Sequence, residues 1–134
     1  VCPQAVTNRI FDMVGAIVEC RRKDALEMYY DLLALKEPPL RILFLITRQY
    51  NILMQLKDLK RKGMNNPAMA KAAGIPLFAV SRSLGQASRL SVGSIEHILS
   101  YSVEMEEAVK TGQMNEQIAV ELVIIEASRE REYK

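Results

Sequence analysis

The sequence predicts an all-α fold, a single compact bundle of about six or seven helices with one long central helix. Apolar residues recur at three-and-four spacing along most of the 134-residue chain, and strand-like alternation is nowhere sustained. Glycines occur only at isolated positions and the prolines fall between apolar segments, so the punctuation comes at intervals that suit helices. A length of 134 residues with 49% apolar and 25% charged side chains is enough for one ordinary hydrophobic core.

The first helix is expected over about Arg9 to Glu19, where Ile10, Met13, Val14, Ile17 and Val18 repeat on one face. A second, about Lys23 to Leu35, does the same with Leu26, Tyr29, Tyr30 and Leu33. Pro38-Pro39 stops it and sets Pro39 at the first position of the longest helix, about Pro39 to Lys62. The apolar run Ile42 to Ile46 there covers most of the helix circumference, which predicts protein on all sides. Its other end carries Lys57, Lys60, Arg61 and Lys62 before Gly63, a set matched to the negative end of the helix dipole. Asn66 as N-cap with Pro67 behind it opens a short helix to Ala73. The turn Gly74-Ile75-Pro76 leads to a helix from about Leu77 to Leu90. Ser91 caps a helix to about Thr111 whose inner stripe is Ile95, Ile98, Leu99, Ser102, Met105 and Val109. Gly112 supplies a left-handed cap, and Asn115 opens a last helix in which Glu121 is the one polar interruption of Ile118 to Ile125. One face of that helix is expected in the core and the other against another chain. Residues 1–7 are expected to be the remnant of a link from an upstream domain, 8–127 the helical domain and 128–134 a fraying tail. Val1-Cys2-Pro3-Gln4 has neither a starting Met nor a signal-peptide layout and reads as a cut inside a longer protein.

The composition narrows the function. A net charge of +2 is too small for nucleic-acid binding to follow from the total, and 6% aromatics without Trp provide no platform of stacked rings. Residues 36–90 carry ten basic and two acidic side chains, whereas 91–127 carry one and seven. Such a division suits similar domains packing side by side with opposite potentials meeting, and it is equally compatible with screened surface charge. Cys2 and Cys20 read as free thiols of a reducing compartment, hence a cytoplasmic protein, and no apolar run is long enough to span a membrane. His97, the sole histidine, has no partner motif for zinc or for nucleophilic catalysis, and no glycine-rich phosphate loop is present. No metal and no cofactor are expected, the seven methionines read as core filler, and Glu104, Glu106 and Glu107 as a solvated helix face.

The stretch Met69 to Arg82 has the outline of a DNA-reading helix-turn-helix: small residues in the first helix, Gly74 in the turn and Val80 on the second helix. That second helix begins Leu77-Phe78-Ala79, so the positions that should touch base edges are apolar, and an apolar entry is expected to lie in a core. A DNA-binding module remains the alternative function, and would depend on Arg82, Arg89 and Lys71.

The order of residues from about Ile10 to Glu126 resembles the C-terminal domain of the delta subunit of the bacterial DNA polymerase III clamp loader. The resemblance is carried by Ile10-Phe11-Asp12-Met13-Val14-Gly15-Ala16-Ile17, then Ile42-Leu43 and Arg48-Gln49-Tyr50-Asn51-Ile52-Leu53. It continues with Lys57-Asp58-Leu59, Lys62-Gly63, Ala70-Lys71-Ala72-Ala73-Gly74-Ile75-Pro76 with Val80, Gln86-Ala87, Val109-Lys110-Thr111-Gly112 and the helix of Glu121. Tyr50 stands where the family often has Arg. The resemblance implies a bundle of the clamp-loader collar type, within an assembly of the AAA+ family that places the sliding clamp on primed DNA during replication. It implies no intrinsic activity in this fragment, which would be a non-catalytic oligomerisation domain of a DNA-directed DNA polymerase holoenzyme. The partners implied are the gamma/tau and delta-prime subunits, the sliding clamp through an N-terminal region outside this chain, and primed DNA in the complex. The interface candidates are Ile118, Val120, Val123, Ile124 and Arg48, with charge at Val123 or Ile124 expected to abolish partner binding without unfolding the domain. Possible DNA-backbone contacts are Lys57, Lys60, Arg61, Lys62 and Arg82.

Overall fold

A computed structural model describes residues 3–129. Within them the chain forms seven helices: α1 (Pro3–Val18), α2 (Arg22–Ala34), α3 (Pro39–Arg61), α4 (Asn66–Ala73), α5 (Leu77–Ala87), α6 (Val92–Lys110) and α7 (Glu116–Ala127). No strand occurs among the described residues. The long α3 is the post of the bundle, with α1, α4, α5, α6 and α7 all packed against it, while α2 lies against α1 and α7.

Local chemistry sets most boundaries. Ser91 and Asn115 cap α6 and α7, their side chains accepting from the Ser94 amide and from those of Gln117 and Ile118. Gly74 and Gly112 take the left-handed conformation that ends α4 and follows α6. Cys20 and Lys36 adopt the same conformation after α1 and α2 without being glycine, with φ of 61° and 66°. In both turns two backbone hydrogen bonds close the helix end, as from the Arg21 amide to the Ala16 carbonyl at 2.8 Å.

Several expected boundaries shift. The N-cap of α4 is Asn65, whose side chain accepts from the Ala68 amide at 3.0 Å, so Asn66 is already helical. α5 ends at Ala87, and Leu90 is buried from the turn that follows. Residues 3–7, expected as a link, are helical and open α1, with Val6 in the core. At the other end Ser128, expected in the tail, is buried and donates to the Ile124 carbonyl at 2.7 Å. Residues 1–2 of the expected link, Cys2 included, and 130–134 of the expected tail lie outside the described residues.

The main core joins Met13 and Ile17 of α1, Tyr29 and Leu32 of α2, Ile42, Ile46 and Leu53 of α3, Ile95 of α6, and Val120, Val123 and Ile124 of α7. Each such fully buried aliphatic side chain contributes about 2 kcal/mol of transfer free energy. A smaller cluster of Ile52, Leu56, Met69 and Val80 holds α4 and α5 to the second half of α3. Met13 and Met69 are fully buried fillers, and the other five methionines are half-buried. The expected inner stripe of α6 divides: Ile95, Ile98 and Ser102 are buried, while Leu99, Met105 and Val109 are half-buried.

Candidate functional site

Every predicted site residue except Lys62, which follows the end of α3, lies on a helix, and the fold sorts them into groups that spacing alone does not separate. On α7, Val120, Val123 and Ile124 are at most 1% exposed. This corrects the reading of them as interface residues, since they face α1, α2 and α3 and are saturated by this chain's own core. A charge at Val123 or Ile124 would therefore unfold the domain. Ile118, one turn before Leu122, is the α7 candidate left outside, at 52% exposure. Beside it, α2 is fastened to the start of α7 by Tyr29, whose hydroxyl donates to the Gln117 carbonyl at 2.9 Å. Burial, and secondarily the carboxylate of Glu121, push the Tyr29 hydroxyl far above the ordinary phenol range, so it remains a donor.

The first half of α3 is not wrapped on all sides. Ile42, Leu43 and Ile46 are buried, but Phe44 is 62% exposed and shares the outer stripe of α3 with Arg41, Arg48 and Asn51. The apolar run at Ile42 to Ile46 thus contains one side chain that the bundle does not cover. The apolar entry to α5 is likewise not core: Leu77 and Phe78 are 55% and 69% exposed. The side of α5 that packs inward carries Val80, Ser83, Gln86 and Ala87. There Gln49 of α3 donates through Nε2 to Ser83 Oγ at 3.3 Å and Gln86 Oε1 at 3.1 Å, and Gln86 Nε2 donates to the Phe11 carbonyl at 3.1 Å. This buried chain of amides ties α1, α3 and α5 together, and its members satisfy one another. Sequence reasoning missed it, although a signal existed: Gln49 falls within the stripe Ile42, Ile46, Leu53, Leu56 at helical spacing.

The basic candidates divide between two depressions. Lys57, Lys60 and Arg61 border a groove of about 790 Å³ between α3, the end of α5 and the first residue of α6, with Met54, Leu84 and Val92 among its apolar lining. Lys57 Nζ donates to the Ala87 carbonyl at 3.1 Å, closing the C-terminal end of α5. Arg61 and Lys62 both reach Asp58, at 2.6 and 3.1 Å, and lysine and arginine together hold that carboxyl below its ordinary range. Lys60 projects into solvent. Arg82 borders the other depression, with Phe11, Asp12 and Arg89, where its guanidinium lies 4.4 Å from the Phe11 ring centre and 3.4 Å from Asp12. It is turned back onto α1 rather than presented as the reading side chain of a helix-turn-helix.

His97 Nε2 lies 2.7 Å from Glu126 Oε2, and Arg129 contacts the same carboxyl at 3.0 Å. Hydrogen bonding from His97, and then from Arg129, holds Glu126 below its ordinary range. The trio joins α6 to the end of α7. Among the described residues no three His, Cys, Asp or Glu side chains come together as metal ligands, and no helix is long and apolar enough to cross a membrane.

Comparison with known proteins agrees with this geometry. The DNA polymerase III subunit delta of Bacillus subtilis is 26% identical over 129 residues, which cover 96% of this chain and 37% of that protein. The solved structure of the DNA clamp loader delta protein of Bacillus subtilis superposes with a TM-score of 0.84 at 27% identity, covering 92% of this chain and 36% of that one. The chain thus spans a little over a third of the relatives it matches. The family described as DNA polymerase III delta subunit, C-terminal domain, matches residues 7–127, and helix order, core and sequence together make this chain a member of that family.

Proposed function

We propose that this chain is the collar of a clamp-loader delta subunit, a non-catalytic domain through which the subunit is assembled into the ring. The observation that carries the reading is an unequal use of apolar surface. The core is closed by inward-facing residues of α1, α2, α3, α6 and α7, yet Phe44 and Ile118 remain outside it on α3 and α7, which pack against each other. In the assembled loader these side chains, with Arg48 on the same α3 stripe as Phe44, meet neighbouring collar domains of gamma/tau and delta-prime. The contrast between the basic segment 36–90 and the acidic segment 91–127 suits such side-by-side packing. The sliding clamp is then engaged by a part of the subunit outside this chain, primed DNA is met by the complex, and the whole acts in the cytoplasm as part of the polymerase holoenzyme.

Size-exclusion chromatography with light scattering tests this, on the chain alone and mixed with the gamma/tau and delta-prime collar domains. The chain is expected to share a peak with them, and Phe44→Asp combined with Ile118→Asp to return it to its own peak with an unchanged circular dichroism spectrum. Variants that still assemble would overturn the surface assignment. The helix-turn-helix alternative has less support, because Arg82 is engaged by Phe11 and Asp12 and the start of α5 offers Leu77 and Phe78 where base-reading polar groups belong.

A further inference from the structure

The groove at the C-terminal half of α3 has a chemistry that assembly through Phe44 and Ile118 does not use. Its lining combines Met54, Leu84 and Val92, and Val92 lies half in solvent at the first position of α6. Leaving an apolar residue uncovered at a helix start, beside a flexible thioether, suits an adaptable protein contact. The cations are all on one wall. Lys57 is fixed on the Ala87 carbonyl and contributes its aliphatic stem, while Lys60 and Arg61 lie further along α3 at the rim.

Charge complementarity selects the occupant. A nucleic-acid backbone is met by a continuous row of cations and its bases by aromatic rings, whereas here the cations stand on one wall only, with Asp58 among them, and the groove lining holds no aromatic side chain. An acidic amphipathic helix matches both halves of the site, since apolar anchors one turn apart fit a Met-Leu-Val floor and flanking carboxylates fit a basic wall. The positive end of the α6 dipole borders the groove and adds to the same field. We propose that this groove docks an acidic amphipathic helix of a partner protein, with its apolar anchors on Met54, Leu84 and Val92 and its carboxylates toward Lys60 and Arg61. The proposal goes beyond the collar reading and stands without it, because it concerns the opposite half of α3.

The test is a titration of the isotopically labelled 134-residue chain, followed by amide chemical shifts, with three probes. They are a short helical peptide with Leu at i, i+3 and i+7 flanked by Glu, the same peptide with Lys for Glu, and a single-stranded oligonucleotide. The Glu peptide is expected to shift Met54, Leu84 and Val92, and Lys60→Glu with Arg61→Glu to weaken it about tenfold. Val92→Glu, at an exposed position, is expected to weaken it without altering the rest of the spectrum. The proposal is overturned by equal binding of the Lys peptide, by shifts confined to other surfaces, by no binding, or by the oligonucleotide moving the same residues more tightly. Concentration-dependent shifts at these residues without any probe would also overturn it, by making a second copy the occupant. None of these outcomes bears on co-elution with collar domains.

Discussion

α5 and α7 use their apolar residues in opposite ways. α7 is two-thirds apolar, and Ala119, Val120, Val123, Ile124 and Ala127 all go into this chain's own core. α5 leaves Leu77 and Phe78 to solvent and buries Ser83 and Gln86. The cause is position. α7 is packed by α1, α2, α3 and α6, so most of its circumference meets protein, whereas α5 sits at the edge against α3, α4 and α1. Hydrophobicity along a helix states how much surface could be buried, and neighbours decide which residues are.

Charge on the inner face of α7 breaks the contrast most severely. Val123→Asp places an unpaired carboxylate among Val, Ile and Leu and is expected to cost about 4 kcal/mol or more, seen as loss of the cooperative urea transition. A cooperative melt at wild-type midpoint would mean that α7 is not core. Gln86→Leu probes the polar side of α5. It removes partners from the Gln49 amide and the Phe11 carbonyl and is expected to destabilise by roughly 1–3 kcal/mol, with Gln49→Leu in the same molecule recovering part of the loss. If the double variant is simply additive, the amide chain is not a unit.

Asn115→Ala removes the cap of α7 and is expected to lower stability by about 1 kcal/mol in the same urea assay. A weaker effect comes from pH. Because the carboxyl of Glu126 is held below its ordinary 4.5 in the folded chain, its contribution is present above that value and is lost as pH falls through the lower folded value. Thermal melts between neutral and acid pH should show a drop that Glu126→Gln diminishes, and an identical drop in both proteins would remove the pair from the account. At the small end, Phe78→Ser should change monomer stability by no more than about 0.5 kcal/mol. A large loss there would mean that the start of α5 is covered after all.

The fold was legible because helix spacing and caps are local: Ser91, Asn115, Gly74 and Pro39 mark their boundaries in the sequence itself. The turns at Cys20 and Lys36 were less legible, since a non-glycine residue in the left-handed region leaves no compositional mark. The groups that separate candidate sites were not legible. Arg82 meets Asp12 across 70 positions, and Lys57 meets the Ala87 carbonyl across 30, so whether either cation is available is a tertiary property. The same holds for Val123 and Ile118, which the sequence offers together as interface candidates and the bundle divides into core and surface.

The placement of α7 also bears on biosynthesis. A ribosome delivers α1 to α6 before the helix that seals the space among Met13, Tyr29 and Ile46, and the Tyr29 hydroxyl waits 88 positions for the Gln117 carbonyl. Until α7 has cleared the exit tunnel, the nascent chain can form helices but cannot close its core, so it holds apolar surface open until that helix emerges.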